Sequence, residues 1–385
     1  MNNKVLHVCS NRNPIYVNLW DELIENRIDL SVFHFSNKRV GMPEPGSIYD
    51  KEYIDTSLPF SNIDRWFFFN KEKKVMRALK NRLSGKSFNM IHAHTLFSEG
   101  YLAYKLHKES GIPYIVAVRN TDINVFFKYR KYLHGLGCEI LRNADRIIFL
   151  TSVYEQKLFD KYIPKKFRDE LKSKIVIIPN GIDSLFLNNM AQPRSRVSEN
   201  KLNVITVGMV NKNKNQTYIC DQLEKYQNDN PDIIVSYKNF GIIRFERDKK
   251  YAALLNKYPF AERCEPKSHK ELIEEYRKAD IFALLSKTES FGIVYAEAIS
   301  QGLPILYTKG EGFDTQFDDG VVGHAVDLSK NGDFVQKLES ILKDYEGFSK
   351  RALEGASKFD WKKIGRRYSE LYAEVIQANG GIYEI

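Results

Sequence analysis

The sequence predicts an α/β protein of two domains, each built on a parallel sheet that helices cover on both faces. Short apolar runs alternate with longer segments of helical periodicity through both halves of the chain. This alternation is typical of buried parallel strands joined by crossover helices. The length of 385 residues also exceeds the size at which a single hydrophobic core keeps growing, so two cores are expected.

The predicted strands are short and end at polar or glycine-containing turns. They cover 5–9, 30–33, 90–92, 114–118, 146–150 and 175–178 in the first half, and 204–207, 233–236, 281–285 and 304–307 in the second. The predicted helices include 98–109, 153–160, 271–278 and 292–300. Segment 361–377 has apolar residues at helical spacing and predicts a terminal helix.

The best candidate for a linker is the segment 188–200, which contains the sequence QPRS and few apolar residues. It divides the chain into an N-terminal domain at 1–190 and a C-terminal domain at 200–360. Residues 361–380 then form a separate terminal helix.

Cysteine usage and hydropathy restrict the class of protein. The four cysteines are far apart and form no CxxC pair, which fits a reduced cytosolic protein better than a disulfide scaffold or a zinc site. The first apolar run is too short for a secretory signal, and no stretch of about 18 apolar residues could span a membrane. We therefore expect a cytoplasmic protein, or one that lies on the inner face of the cytoplasmic membrane.

The net charge of +9 belongs to the first half of the chain. Residues 1–190 contain 29 Lys and Arg against 20 Asp and Glu, whereas residues 191–385 contain 29 of each. This asymmetry favours an anionic partner for the first half, such as a lipid headgroup or a pyrophosphate carrier. A basic surface that only aids solubility is the alternative. No nucleic-acid-binding motif is recognisable, so no nucleic-acid partner is expected.

The segment 287–304, KTESFGIVYAEAISQGLP, has the pattern of a ligand-binding turn. A buried strand precedes it, and Gly292 opens a helix. Glu289, Ser290 and Phe291 therefore lie at the carboxyl end of a strand and at a helix N-terminus, where α/β sheets bind ligands. Free N–H groups and the helix dipole at this place favour phosphate or hydroxyl oxygens.

Glu297 lies about two helical turns after Glu289, so both carboxylates can face one cleft. A carboxylate accepts hydrogen bonds from the vicinal hydroxyls of a ribose or a hexose. The alternative is that Glu289 caps the helix and Glu297 is a solvated helix charge.

The same stretch resembles the EX7E signature of the retaining glycosyltransferases of family 4, which have the GT-B fold. Further similarity lies in IHAHTLFSEG at 91–100, PNGID at 179–183 and FDW at 359–361. The resemblance implies two Rossmann-like domains that face a central cleft, with the C-terminal helix crossing back to the N-terminal domain. It also implies retention of anomeric configuration without a metal-dependent DXD motif.

The resemblance also implies roles for individual residues. Glu289 should contact the hydroxyls of the donor sugar, near Ser290 and the backbone N–H groups of Phe291 and Gly292. Glu297 should hold the ribose diol. His94 should hydrogen-bond the transferred sugar or its phosphate, although a lone histidine is more often a structural residue. The predicted catalytic residues are therefore Glu289 and His94.

The predicted phosphate-binding turn, VGMVNKNKN, departs from the family pattern. The family usually has an arginine directly after the glycine and a lysine six residues after it. Gly208 and Lys214 match this pattern, but Met209 occupies the arginine position and cannot offer a bidentate fork to phosphate. Either Lys212 or another cation substitutes, or the affinity for the donor is reduced. Lys214 is expected to contact the leaving pyrophosphate.

The segment 10–15, SNRNPI, replaces the glycine-rich loop that many relatives have after the first strand. No acceptor residue is therefore assigned. Asp318 and Asp319 are interpreted as a solvated turn, and no metal site is expected. No cofactor is expected either, because the nucleotide-sugar is a co-substrate.

A possible membrane element lies where WFFF at 66–69 precedes the basic segment 71–86. A basic amphipathic helix beside aromatic residues is typical of proteins that bind membrane surfaces. The alternative is aromatic core packing followed by a solvated helix.

The expected activity is transfer of a hexosyl group from a nucleotide-sugar, with a UDP-sugar favoured, to a glycan or lipid-linked acceptor. The expected context is the synthesis of a bacterial surface polysaccharide. Two alternatives stay open. One is a sugar-nucleotide epimerase or a phosphorylase on the same fold. The other is a non-catalytic protein that binds sugar-nucleotides or glycans, which Met209 makes conceivable.

Overall fold

The computed structural model describes residues 3–196 and 198–385. The chain forms two compact units, one of Met1–Pro179 with Trp361–Ile385 and the other of Asn180–Asp360. Each unit has its own largely parallel sheet and its own hydrophobic core. The predicted α/β class is confirmed.

The strands of the described residues alternate with helices along the chain. The strands are β1 (Lys4–Cys9), β2 (Asp29–Asn37), β3 (Ile54–Phe60), β4 (Ser87–Phe88), β5 (Met90–Ala93), β6 (Tyr114–Ala117), β7 (Arg146–Phe149), β8 (Ile175–Ile177), β9 (Lys201–Val207), β10 (Ile234–Phe240), β11 (Ala261–Cys264), β12 (Ile281–Leu284), β13 (Ile305–Thr308), β14 (Gly323–Val326) and β15 (Tyr383–Glu384).

The α-helices of these residues are α1 (Pro14–Glu25), α2 (Phe68–Leu83), α3 (Ser98–Ser110), α4 (His134–Asn143), α5 (Ser152–Lys161), α6 (Arg168–Lys172), α7 (Ser184–Asn188), α8 (Gln216–Asp229), α9 (Glu246–Ala253), α10 (His269–Lys278), α11 (Ile293–Ser300), α12 (Asp333–Lys343), α13 (Tyr345–Ala356) and α14 (Trp361–Asn379). None of them is both long and apolar enough to cross a bilayer.

The sheet of the first unit has seven parallel strands in the order β3-β2-β1-β5-β6-β7-β8. The sheet of the second unit has six parallel strands in the order β11-β10-β9-β12-β13-β14. In both sheets the central strands are buried on both faces, which is why they are visible in the sequence as continuous apolar runs. Their carboxyl ends meet at one edge, where parallel α/β sheets bind ligands.

The strands that the sequence did not predict are edge strands or very short strands. β3 and β11 lie at the edges of the two sheets, and both are partly exposed. β14 is also an edge strand, and its buried residues include Gly323 and His324. Such strands lack the apolar run that marks a central strand, so hydropathy alone did not reveal them.

The terminal helix α14 belongs to the first unit. Its buried residues include Ile364, Tyr368 and Tyr372, which join the same core as Trp20 and Leu23 of α1. The two helices approach closely at Gly365, where a Cβ would lie 2.9 Å from Cβ of Glu22. The packing of α14 on α1 follows from the apolar spacing seen in the sequence.

The boundary between the two units lies at Pro179–Asn180, and the second unit begins eight residues before the predicted linker at 188–200. The segment after this boundary packs on the second unit instead of connecting the two as an open linker. Nη2 of Arg277 donates to the Asn189 carbonyl at 2.6 Å, and Nη2 of Arg194 donates to the Ala279 carbonyl at 2.6 Å. The low apolar content of the segment therefore reflects polar packing. Val197 lies outside the described residues.

Candidate functional site

The carboxyl edge of the second sheet brings three loops together. β9 lies between β10 and β12, so the loops that follow these strands are neighbours. The first two loops touch at glycines: a Cβ on Gly241 would lie 2.0 Å from the carbonyl oxygen of Gly208. Gly208 itself has a φ of 152°, which side chains rarely adopt. The close approach of these loops therefore requires glycine.

Lys214 and Glu289 form an ion pair at this edge. Nζ of Lys214 lies 2.6 Å from Oε2 of Glu289, and both side chains are largely buried. Ser286 donates from Oγ to the same oxygen at 3.1 Å. Nδ2 of Asn213 donates to the Thr288 carbonyl at 2.9 Å, which ties the two loops together beside the ion pair. The structure thus joins two predicted site residues that are 75 positions apart in sequence.

The backbone of Glu289 is held by the loop after β13. Its N–H donates to Oε2 of Glu311 at 2.9 Å, and the N–H of Gly312 donates to its carbonyl at 2.9 Å. A Cβ on Gly312 would lie 2.5 Å from that carbonyl oxygen, so this contact also requires glycine. Glu289 is therefore held at its carboxylate by Lys214 and at its backbone by this loop.

Glu289 does not cap the following helix. Helix α11 begins at Ile293 after Gly292, which has a φ of 79°. The carboxylate accepts instead from the backbone N–H of Ser290 at 3.1 Å. The Phe291 side chain is buried against Phe313, so it anchors the turn. Ser290 is exposed.

Glu297 is buried and therefore is not a solvated helix charge. Burial raises its pKa to about 7, and His269 offsets part of that rise. The Tyr276 hydroxyl lies 3.3 Å from Oε2 of Glu297. Nδ1 of His269 lies 3.0 Å from Oδ2 of Asp183, the last residue of the PNGID motif. The structure therefore associates Glu297 with three groups that were not predicted as site residues.

The remaining residues of the predicted phosphate-binding turn differ in exposure. Lys212 is exposed, whereas Lys214 points into the ion pair with Glu289. The Met209 carbonyl accepts from Nε2 of Gln216 at 2.9 Å. Lys214 is thus the cation that lies beside the carboxylate, and Lys212 is a cation on the outside of the same turn.

Asp319 is a structural residue of its turn. Its carboxylate accepts from the backbone N–H of Ala325 at 2.7 Å and lies 2.8 Å from Nζ of Lys337. Oδ1 also lies 3.2 Å from Nδ1 of His324. The residue therefore joins the turn to β14 and α12, and both Asp318 and Asp319 are exposed, as expected of a solvated turn.

Three buried histidines meet in the first unit. One nitrogen each of His7, His92 and His94 lie within 4.8 Å of one another, and none of the side chains is exposed. Burial lowers the pKa of His7 to about 3 and lowers those of His92 and His94 as well. All three imidazoles are therefore neutral at neutral pH.

Hydrogen bonds with Trp20 and Tyr372 indicate which nitrogens of this histidine cluster carry a proton. Nε1 of Trp20 donates to Nδ1 of His7 at 3.0 Å, so the proton of His7 is assigned to Nε2, 3.3 Å from the Tyr372 hydroxyl. That hydroxyl donates in turn to Nδ1 of His92 at 2.6 Å. Neutral imidazoles are also good metal ligands, and in the described residues these three are the group that could hold a metal ion. Several of their nitrogens already serve hydrogen bonds, and a metal-free reaction stays a prediction.

His94, predicted to reach the transferred sugar, is fully buried in this structure. Its Nε2 lies 2.9 Å from Nδ1 of His7, and its carbonyl accepts from Nε of Arg119 at 3.1 Å. The Tyr16 ring packs against the imidazole with centroids 4.8 Å apart. Direct contact with a sugar therefore requires a movement of the groups that cover His94.

Sequence reasoning did not assign roles to Ser10, Glu99 or Arg119, which meet at the carboxyl edge of the first sheet. The backbone N–H and Oγ of Ser10 donate to Oε1 of Glu99 at 2.7 and 2.6 Å. Oε2 of Glu99 is buried without a hydrogen-bond partner among the described residues. Burial, with a smaller contribution from the nearby Asp122, raises the pKa of Glu99 to about 7 despite the hydrogen bonds from Ser10. The signal for these residues was available: polar side chains that follow β1, β5 and β6.

The comparisons with known proteins cover both units. The family described as "Glycosyltransferase Family 4" matches residues 16–184, and the family described as "Glycosyl transferases group 1" matches residues 190–358. The alpha-monoglucosyldiacylglycerol synthase of Acholeplasma laidlawii is 24% identical over 348 residues, which cover 81% of this chain and 80% of that protein. The chain belongs to the group 1 and family 4 glycosyltransferases.

Solved structures show the same fold. The sucrose-phosphate synthase of Thermosynechococcus elongatus superposes with a TM-score of 0.72 at 16% identity, covering 98% of this chain and 100% of that one. The Anabaena protein HepE in complex with UDP-glucose superposes with a TM-score of 0.66 at 14% identity, covering 96% and 99%. The predicted GT-B fold of this glycosyltransferase is confirmed.

We expect Tyr372→Phe to destabilise the first unit. The change leaves Nδ1 of His92 and Nε2 of His7 buried without their hydroxyl partner, which costs about 1–3 kcal/mol of unfolding free energy. Tyr129→Phe, which removes an exposed hydroxyl, is the matched control. Urea unfolding of both variants is the measurement. Equal midpoints for the two would contradict the hydrogen-bond network.

Glu99 should give the stability of the first unit a specific pH dependence. Its pKa is 4.5 as a free side chain and about 7 in the fold, so the folded state keeps the proton longer. Its contribution to the free energy of unfolding therefore decreases between about pH 4.5 and 7, and is constant above that. Glu99→Gln lacks this contribution.

The difference in unfolding free energy between the unmodified protein and Glu99→Gln should decrease by about 2–3 kcal/mol from pH 5 to pH 8. Urea unfolding of both proteins at each pH measures it, and other titrating groups cancel in the difference. A difference that is flat with pH would show that Glu99 ionises normally.

Proposed function

We propose that this glycosyltransferase moves a hexosyl group from a nucleotide-sugar, with UDP as the expected nucleotide, to a glycan or lipid-linked acceptor. The reaction retains the anomeric configuration and serves the synthesis of a bacterial surface polysaccharide at the inner face of the cytoplasmic membrane. The observation that carries the proposal is the ion pair of Lys214 with Glu289 at the carboxyl edge of the second sheet.

The ion pair offers the two chemistries that a nucleotide-sugar needs. A carboxylate accepts from sugar hydroxyls, and an ammonium group stabilises a departing diphosphate. In this structure the two groups pair at 2.6 Å. We infer that the donor separates them, because Lys214 turns to the phosphates while Glu289 accepts from the sugar. Ser286 and the Ser290 N–H keep Glu289 in place during this exchange.

The N-terminus of α11 adds to this stabilisation. Gly292 lies directly before the helix, and Ser290 before it is exposed. Free N–H groups at a helix start favour an anion, so the turn can share the charge of the diphosphate with Lys214. The leaving phosphate then accepts the proton of the acceptor hydroxyl. The new glycosidic bond forms as the bond from the sugar to the phosphate breaks, on the same face of the sugar.

The buried Glu297 suits the ribose diol when it is ionised. Its pKa of about 7 means that a modest change in pH controls its charge. Nearby, His269 lowers the pKa of Glu297 and Asp183 raises it. His94 is proposed to contact the sugar or its phosphate only after Tyr16 or Arg119 moves from it.

Two relatives support the substrate classes. HepE holds UDP-glucose in its solved structure, which supports a UDP-sugar donor. The name of the Acholeplasma relative describes synthesis of a glucosyl-diacylglycerol, which supports a lipid acceptor. Thermal stabilisation by a panel of UDP-, GDP- and ADP-sugars is the experiment that identifies the nucleotide. Stabilisation by none of them would oppose a nucleotide-sugar donor.

An epimerase and a non-catalytic binding protein remain the alternatives to transfer. An epimerase would convert the sugar-nucleotide without an acceptor, and a binding protein would be stabilised by it without turnover. Proton NMR of the products separates these outcomes. It also shows the anomeric configuration of the new linkage, and inversion would contradict the proposed stereochemistry.

We expect Glu289→Ala to lower kcat by about 100-fold or more, since the variant loses the acceptor for the sugar hydroxyls. The exposed pair of Glu246 with Lys249 supplies a control of equal charge change, Glu246→Ala. Initial rates and thermal unfolding of both variants are the measurements. Turnover of Glu289→Ala at the level of the control would remove Glu289 from the mechanism.

Donor affinity should depend on the ionisation of Glu297. If the ionised carboxylate holds the ribose diol, the ionised fraction of a group with a pKa of about 7 falls about tenfold from pH 8 to pH 6. The Kd for UDP should rise accordingly in the unmodified protein, relative to Glu297→Gln. Titration calorimetry at each pH measures both, and the ionisation of UDP itself is common to the two proteins. Parallel pH profiles would contradict the assignment.

A further inference from the structure

Two segments of the first unit expose large aromatic and aliphatic side chains. Trp66 is the extreme case, with 80% of its surface exposed. The exposed apolar residues of these segments are Ile63, Trp66, Phe67 and Phe69 in the first and Val125, Tyr129 and Tyr132 in the second. Exposed apolar residues grouped in this way are unusual on a protein that functions without a partner surface.

The two segments are neighbours in space. Nη2 of Arg130 donates to the Arg65 carbonyl at 3.1 Å. Beneath them, the rings of Phe68 and Phe126 pack edge-to-face with centroids 6.2 Å apart. The seven exposed residues therefore belong to one region, which we call the aromatic surface.

The charges around the aromatic surface are almost entirely positive. The acidic residues of segments 61–77 and 121–134 are Asp64, Glu72 and Asp122, and all three are buried. Lys74 pairs with Asp64 at 2.6 Å, and Lys71 pairs with Glu72 at 2.7 Å. The exposed cations of the two segments include Arg65, Lys73, Arg77, Lys128 and Lys131.

Helix α2 contributes cations to this region, but the apolar stripe of the helix is not part of the aromatic surface. Val75, Leu79 and Leu83 are buried in the core of the first unit. The predicted amphipathic helix is therefore an ordinary packed helix. The alternative of aromatic core packing holds for Phe68 but not for Trp66, which is exposed.

We propose that the aromatic surface docks on an anionic lipid bilayer. Aromatic rings settle at the boundary between headgroups and acyl chains, and lysines at the border contact lipid phosphates. The charge pattern favours a membrane over a protein partner, because lysine is depleted in protein interfaces whereas the exposed Lys73, Lys128 and Lys131 border this surface. The inference deepens the proposed function, since a lipid-linked acceptor resides in a bilayer.

The test uses sedimentation of the full chain with vesicles of phosphatidylglycerol and phosphatidylcholine, and with vesicles of phosphatidylcholine alone. Binding should require phosphatidylglycerol and weaken at least tenfold between 50 and 500 mM salt. Trp66 is a built-in reporter because Trp20 and Trp361 are buried, so its emission should shift to the blue on binding. Absence of binding to the anionic vesicles at low salt would overturn the proposal.

Two sets of variants separate the apolar and electrostatic contributions. The triple change Trp66→Ser, Phe67→Ser and Phe69→Ser should weaken vesicle binding at least tenfold. Its control is Ile234→Ser, Ile242→Ser and Phe245→Ser, which removes exposed apolar side chains from the second unit. The control should bind vesicles as the unmodified protein does. Equal loss in both would contradict a docking surface at Trp66.

Replacement of Lys73, Lys128 and Lys131 by glutamine should weaken binding about 100-fold at low salt, at about fivefold for each cation. The matched control replaces the exposed Lys225, Lys257 and Lys343 of the second unit by glutamine. Light scattering of all these proteins tests the alternative that the aromatic surface mediates self-association. A self-association in solution that the serine variants abolish, with vesicle binding unchanged, would assign the surface to a protein partner.

Stabilisation by the sugar-nucleotide panel distinguishes failure of this inference from failure of the proposed function. Variants that lose vesicle binding should keep that stabilisation, because their changes are far from Lys214 in sequence and lie in the other unit. Vesicle binding without any transfer would remove the proposed function and leave the docking surface. A protein that transfers sugar to a lipid acceptor but does not bind vesicles would remove the docking surface and leave the proposed function.

Discussion

The ion pair of Lys214 with Glu289 is the interaction on which the second unit's site depends. Its partners come from the loops after β9 and β12, which adjoin because their strands are neighbours in a parallel sheet. Both side chains are largely buried, so removal of either partner would leave the other charge poorly solvated. The glycines at 208, 241 and 312 let the surrounding backbone approach closely enough to hold the pair. The order of strands in the sheet therefore determines both the backbone of this site and the pairing of its two charged residues.

The sequence predicts the interior of this fold better than its borders. Central strands such as β5 and β12 are buried on both faces, so continuous apolar runs mark them. Edge strands such as β11 expose half of their residues and have no such run. The compact units divide before the predicted linker at 188–200 for a related reason. Arg194 caps backbone carbonyls of the second unit, and a polar contact of this kind resembles an exposed linker in composition.

The candidate site shows the same division between local and non-local information. The turn around Glu289 is one continuous motif, and its position before a helix is visible in the sequence. Its pairing with Lys214 is not, because the contact depends on strand order. His94 contacts Trp20 of α1, and the neighbouring His7 and His92 hydrogen-bond Tyr372 of α14, so the cluster joins helices far apart in sequence. Glu99 likewise accepts from Ser10, which lies 89 positions away in sequence, so this contact also depends on strand order.

The replacement of the family's arginine by Met209 changes what donor binding must accomplish. A turn with both an arginine and a lysine would keep one cation beside the diphosphate while the other balances the carboxylate. Here Lys214 already neutralises Glu289, so the pair presents almost no net charge to an incoming anion. On the proposed function, binding would be an exchange of partners, in which the lost ion pair offsets part of the new contacts to phosphate and sugar. Such an exchange would favour a ligand that contacts both Lys214 and Glu289, because a diphosphate alone would leave Glu289 without its cation. On the proposed function, the absence of this arginine would therefore favour the complete nucleotide-sugar over the nucleoside diphosphate product.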